Sequence, residues 1–267
     1  MVLHGWRKLI LPVMDLAMTG YLLAEMAENF THEAYRDLLT EFVRQGYSPK
    51  TYETVSVNER DLILRHDLDM SLLAAEPIAE IEHSLDISAT YFVLLRTEMY
   101  NPFSDAGLKS LKTISHLGHN IGLHLDASLY GNDILVLDAA AKHECNILEG
   151  IIEAPVHYVS FHRPAKGLLG YNKTLGGRLH AYQPRFFSEM GYCSDSRGAW
   201  HHGHPLAHDV VRQGRALQLL THPIWWGNNA NNGPIEILEG FVEARVQILR
   251  EQLAQNCEPY RLRPVLD

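Results

Sequence analysis

Short runs of Leu, Ile, Val and Phe, bounded by polar or glycine positions, alternate along this chain with longer segments whose apolar residues recur at three and four. The short runs predict buried strands and the periodic segments predict amphipathic helices. Residues 1 to 28 have no clear period and read as an extension or a loose helix. Thr31 is a candidate N-cap for a helix carrying Tyr35, Leu38, Leu39, Phe42 and Val43, and Gly46 ends that run. Ser48 to Arg60 is polar and reads as a connection. Leu62–His66 is the first core strand, followed by a helix over Ser71–Leu85 with Leu72, Leu73, Ile78, Ile81 and Leu85 on one side. Ala89–Leu94 is the next strand, Gly107–Leu117 a short helix, and Gly118–His124 a third strand entered through a glycine turn. Ile134–Ile152 is a long helix carrying Leu135, Leu137, Ala141, Cys145 and Leu148. Val156–Phe161 is a fourth strand, and Tyr192–Asp195 and Leu217–Pro223 are further ones. Ile235–Leu253 is a closing helix with Leu238, Phe241, Val242, Leu249 and Leu253 apolar.

Strands that alternate with helices imply a parallel sheet with right-handed crossovers. Six or seven such units suit a closed or nearly closed α/β barrel better than an open sheet. A single domain is expected, with residues 1–58 an N-terminal extension and helix packing on a barrel of residues 59–267.

The 267 residues are 46% apolar and 21% charged, which suffices for one large core. A net charge of -9 and the lack of any basic run argue against nucleic acid or an anionic membrane surface as partner. Cys145, Cys193 and Cys257 are far apart and form no CxxC, so free thiols in a reducing compartment are expected. The apolar run Leu9–Leu16 is broken by Pro12 and Asp15 and is too short to span a bilayer. A soluble, cytoplasmic chain without a membrane span is the expectation.

Chemistry collects at the predicted strand ends. The first strand runs into Arg65-His66-Asp67-Leu68-Asp69, and alternation sends Asp67 and Asp69 to one face with Arg65 behind them. Two carboxylates in one pocket repel each other unless a positive group sits beside them, and a divalent metal is the economical answer. His124 with Asp126, then His162-Arg163, Asp195 and His222 close the other strands. Active groups in parallel α/β folds lie at these C-terminal ends. A His- and Asp-rich set there points to a metal-dependent site. Trp225-Trp226 follows His222 and is either a sugar-stacking platform or core. His201, His202 and His204 read as a solvated loop, Asn228 to Asn232 as a turn, and the glycines near 167–177 fit no nucleotide fingerprint.

In chain order, Arg-His-Asp-Leu-Asp, Gly-His-Asn-Ile-Gly-Leu-His, Phe-His-Arg-Pro, Asp-Ser-Arg-Gly-Ala-Trp and Leu-Thr-His-Pro resemble the motifs of the polysaccharide deacetylases (carbohydrate esterase family four). The resemblance spans about residues 60 to 225. It implies a distorted (β/α)7-type barrel that removes acetyl groups from sugars with one divalent metal, Zn²⁺ foremost, and a carbohydrate as substrate. Carried over by position, Asp67 is the general base and Asp69 a metal ligand. His124 is the first metal histidine, Arg163 the arginine that holds the base, and His222 the general acid. Asp195 and Trp200 flank the active site on the substrate side, joined by Trp225 if it stacks on sugar. The resemblance is to the branch linked to bacterial surface-polysaccharide synthesis, where a cytoplasmic enzyme would act on a small activated sugar. One position departs from the pattern: Ser128 stands where the family places a second metal histidine, and a hydroxyl is a poor zinc ligand. His162 is the preferred replacement and Asp126 the runner-up. Two other readings stand beside this one: a degenerate barrel that binds a glycan or a protein partner, and a metal hydrolase of a non-sugar amide.

Overall fold

The computed structural model describes residues 30–164, 166–201, 203–227 and 232–262. The expectations for residues 1 to 28, His202 and Asn228 to Asn231 lie outside that set. The chain is α/β. Eight parallel strands make one curled sheet: β1 (Ser48–Pro49), β2 (Asp61–Leu68), β3 (Thr90–Val93), β4 (Asn120–Asp126), β5 (Tyr158–His162), β6 (Leu179–His180), β7 (Gly191–Ser194) and β8 (Leu217–Thr221). Their order is β6-β5-β4-β3-β2-β8-β7, with β1 paired to β2. The principal helices are α1 (His32–Arg44), α2 (Ala75–Ser84), α3 (Asp105–His116) and α4 (Ile134–Ile152). The single turns α5 (Pro184–Phe187) and α6 (Asp209–Arg212) flank β7. After β8 come the long α7 (Pro234–Asn256) and the short α8 (Glu258–Arg261).

This is a distorted barrel that stays open among the described residues, because β6 and β7 end the sheet on either side. The gap is bridged by side chains. Gln218 on β8 donates to the carbonyls of Ala181 (3.3 Å) and Phe186 (2.9 Å), beyond β6, and accepts from the Tyr52 hydroxyl (2.7 Å). Tyr52 and Val55 are buried, so the 48–60 segment is part of the core and more than the polar connection its composition suggests.

Local signals account for most helix ends. The Thr31 hydroxyl caps α1 through the Ala34 amide (3.1 Å), and Gly46, at φ 83°, turns the chain after it. Tyr35, Leu38, Leu39 and Phe42 are buried as their spacing requires, while Val43 is exposed. Ser104 caps α3 and Asp133 caps α4. The second helix is shorter than predicted, because the chain only enters it at Ala75 after a turn at Ser71–Ala74.

Two faces of the sheet are used differently. On the outer face, Leu62, Leu64 and Leu68 pack with α1 and α2, around one polar knot. Glu82 of α2 accepts from the hydroxyls of Tyr35 (2.5 Å) and Tyr91 (2.6 Å) and lies 2.7 Å from His66 Nε2. His66 Nδ1 meets the Thr221 hydroxyl at 2.7 Å. A buried carboxylate is tolerable only with such a full set of partners. The inner face carries the polar set. Register puts Arg65 and Asp67 of β2 beside Leu220 of β8 and Phe92 of β3, and His124 of β4 beside Ser160 of β5. Gly122 is required there, because a Cβ at that position would come within 2.6 Å of the Phe92 ring.

Candidate active site

Four strand ends build one cluster at the C-terminal mouth of the sheet. Asp69 follows β2, His124 lies on β4, His162 ends β5, and His222 follows β8. His124 Nε2 is 3.0 Å and His162 Nδ1 3.2 Å from the same oxygen, Asp69 Oδ1. One ligand atom from each of these three residues lies within 4.8 Å of the others. Burial raises the Asp69 carboxyl, but hydrogen bonds from His124 and His162 outweigh it and leave the group far below the ordinary carboxylate range.

The donor set suits a divalent cation. Zinc bonds of ~2.0–2.1 Å in a tetrahedron separate neighbouring ligand atoms by about 3.3 Å, close to the spacings around Asp69. The outer nitrogen of His124 is already oriented: Nδ1 meets the Ser160 hydroxyl at 2.5 Å, which leaves Nε2 to face Asp69. Ser128 takes no part, since its amide (3.1 Å) and hydroxyl (2.6 Å) both donate to Asp126. Asp126, the other candidate for a third ligand, is thereby committed to capping the turn at Ala127–Leu129.

Beside this trio stands Asp67. Arg65 donates to it twice, Nε to Oδ1 at 2.9 Å and Nη2 to Oδ2 at 2.8 Å. The guanidinium is fully buried over the rings of Tyr182 (4.9 Å) and Phe92 (5.5 Å) and also donates to the Tyr182 hydroxyl (3.2 Å). Burial alone would raise the Asp67 carboxyl, yet the charges of Arg65 and His124 bring it below its ordinary value. Asp67 therefore stays ionised at neutral pH, with Oδ2 3.6 Å from His124 Nε2.

The opposite wall is His222. Its Nδ1 is 2.7 Å from Asp195 Oδ1, and its backbone amide donates to the same carboxylate at 3.0 and 3.1 Å. Trp226 Nε1 donates to Asp195 Oδ2 at 2.8 Å. Burial lowers the His222 pKa, but the hydrogen bond and charge of Asp195 override it and push it up to about 9. His222 is thus an imidazolium at neutral pH, with Nε2 turned to the mouth 3.8 Å from Asp69 Oδ2.

Three assignments from sequence need correction. Arg163 does not hold Asp67. The chain turns through a left-handed φ of 52° at Arg163, and its side chain, 68% exposed, meets Asp126 at 3.7 Å. The arginine on Asp67 is Arg65, two residues upstream on the same strand, where alternation alone could have pointed. Asp195 is fully buried behind His222 and orients that imidazole, with no face open to substrate. Trp225 is buried core, 5% exposed, which decides between the two readings of that ring. Trp200 is half-buried in an aromatic group with Phe30 (5.7 Å), Trp226 (6.1 Å) and His204 (6.1 Å). Ser160 and Tyr182, which touch His124 and Arg65, are not singled out by the sequence, and Trp226 reads there only as a sugar platform or core. Strand pairing brings Ser160 to His124, and tertiary contact brings Tyr182 to Arg65 and Trp226 to Asp195; no local motif marks such pairs.

No family model and no curated protein matches the sequence. Among solved structures, the chain is similar to the deacetylase PplD of Streptococcus pyogenes, determined with acetate, at 14% identity over 85% of this chain and 92% of that one, TM-score 0.44. It is similar to a family 4 carbohydrate esterase from Bacillus anthracis at 15% identity, over 80% of this chain and 86% of that one, TM-score 0.40. The chitin deacetylase of the fungus Colletotrichum lindemuthianum is 17% identical over 68% of this chain and 81% of its own, TM-score 0.41. It is also similar to a family 4 pseudoenzyme from Bacillus anthracis, at 14% identity over 71% of this chain and 63% of that one, TM-score 0.41.

Proposed function

We propose that this chain is a metal-dependent hydrolase that removes an acetyl group from the nitrogen of an N-acetylated sugar. The observation that carries the reading is the convergence of Asp69, His124 and His162 within 4.8 Å, between a carboxylate gripped by Arg65 and an imidazolium gripped by Asp195. Asp69, His124 and His162 would hold the cation, Zn²⁺ by the nature of its donors. A bound cation of this kind lowers the pKa of its water toward ~7 and polarises a carbonyl.

The remaining steps belong to the chain itself. Asp67 is ionised and receives a proton from the attacking water at its carboxylate. Arg65 keeps that carboxylate in one rotamer, so no side-chain search precedes the transfer. His222 has Nδ1 tied to Asp195, so its Nε2–H is the proton available to the departing amine. An amine is a poor leaving group unless protonated, and Asp195 favours the charged form of the imidazole that would supply that proton. The motif order of the sequence supports a sugar as the acyl carrier. The free thiols of Cys145, Cys193 and Cys257 fit a reducing compartment, where the resemblance points to a small activated sugar as substrate. Among the described residues no helix is long and apolar enough to cross a membrane.

The test is acetate release by the Zn²⁺-, Co²⁺- or Ni²⁺-loaded chain from a panel of N-acetylated sugars, free, nucleotide-linked and oligomeric. Release that disappears in Asp67→Asn while the metal stays bound is the expected result. Metal content below about a tenth of an equivalent after loading would sink the reading. Release from simple non-sugar amides alone would move the substrate class.

A further inference from the structure

Helix α7 has no buried residue along its 23 positions. One face rests on the barrel, where Phe241, Arg245, Ile248 and Gln252 line a groove with Met70 and Tyr100. A second face carries Ile235, Val242, Val246, Leu249 and Leu253, each 38–71% exposed, with Leu249 at the border where the stripe meets the groove. At 100° per residue these five fall within about 60° of one another and run for about 27 Å along the axis. An apolar stripe of that length, on a helix already anchored by another face, is the surface a second helix covers.

The residue order indicates which helix. Ile235 and Leu253 lie nine positions either side of Ala244, and Val242 and Val246 two positions either side. Glu239 and Arg250 lie five before and six after it, and both project from the same flank of the stripe by the helical period. In an antiparallel pair related by a twofold axis, each flank meets its own equivalent, so an acid ahead of the centre meets a base behind it. Four of the five stripe residues and the flanking charges are therefore placed to meet their own equivalents, and antiparallel helix dipoles add to the match.

We propose that α7 pairs antiparallel with α7 of a second copy of this chain, across a twofold axis at the level of Ala244. Val242 packs against Val246 of the other copy, Ile235 against its Leu253, and Glu239 meets its Arg250. The pairing stands apart from the hydrolase reading and needs no residue of the mouth.

Sedimentation velocity of the full chain across a concentration series tests it. The expected result is a concentration-dependent dimer that Val246→Glu abolishes, with the circular dichroism spectrum unchanged. Glu239→Arg and Arg250→Glu each weaken the dimer by about tenfold, since every dimer contains the contact twice. The double variant Glu239→Arg/Arg250→Glu restores it. A dimer indifferent to Val246→Glu, or a double variant no better than the singles, overturns the pairing. So does a monomer at every concentration. Protection of the exposed face of α7 from hydrogen exchange in that monomer would assign the stripe to the chain's own residues 1–29 instead.

Discussion

Arg65 holds Asp67 from the same strand, through two parallel hydrogen bonds of 2.9 and 2.8 Å. The pair is buried at the centre of the sheet, between the rings of Phe92 and Tyr182. A fork of this kind fixes a carboxylate in orientation as well as in charge. The short separation means that β2 carries both Asp67 and the group that positions it, with Asp69 directly after its end.

Replacing Arg65 tests that arrangement. Arg65→Lys keeps the charge but loses the fork, and turnover is expected to fall by about two orders of magnitude with metal content unchanged. Arg65→Ala leaves Asp67 buried without its partner and costs about 3 kcal/mol or more of stability. Urea unfolding measures the second effect and acetate release the first.

The proposed metal site predicts a pattern of losses. Asp69→Ala, His124→Ala and His162→Ala each remove one ligand and should abolish metal retention through gel filtration. Ser128→Ala should retain it fully, because that hydroxyl serves Asp126. Ser160→Ala frees the His124 ring and is expected to weaken metal affinity by about 10–100-fold. Atomic emission on the eluted protein reads all five.

The His222–Asp195 pair makes stability and rate depend on pH. The folded pKa of His222, about 9, lies above the ~6.5 of an unfolded chain. The folded state therefore binds the proton more tightly. The resulting stabilisation is complete below about pH 6.5 and is lost as pH rises toward 9. Urea midpoints at pH 6 and pH 9.5 should show that loss in the native chain and much less of it in Asp195→Asn. The alkaline limb of the rate profile, set by the same proton, should move to lower pH in Asp195→Asn.

Gly122 offers a steric test remote from any charge. A methyl group there would meet the Phe92 ring, and that ring supports the Arg65 guanidinium. Gly122→Ala is expected to cost about 1–3 kcal/mol and to reduce turnover by misplacing Arg65. A thermal melt together with an activity assay decides it.

The chain by itself determined the alternation of strands and helices, the full span of α4, the Thr31 cap, and the polar strand ends that carry Asp67, Asp69, His124, His162 and His222. These depend on local spacing and on side-chain chemistry, which are written in consecutive residues. Tertiary structure alone decided that His162 and His124 share Asp69, that Asp195 stands behind His222, and that Arg65, not Arg163, grips Asp67. It also opened the barrel between β6 and β7 and left α7 with its apolar stripe in solvent. Each of these is set by register and backbone direction between segments far apart in the chain. A left-handed φ at Arg163 or the pairing of His124 with Ser160 leaves no periodic trace in sequence, so only folding brings it into view.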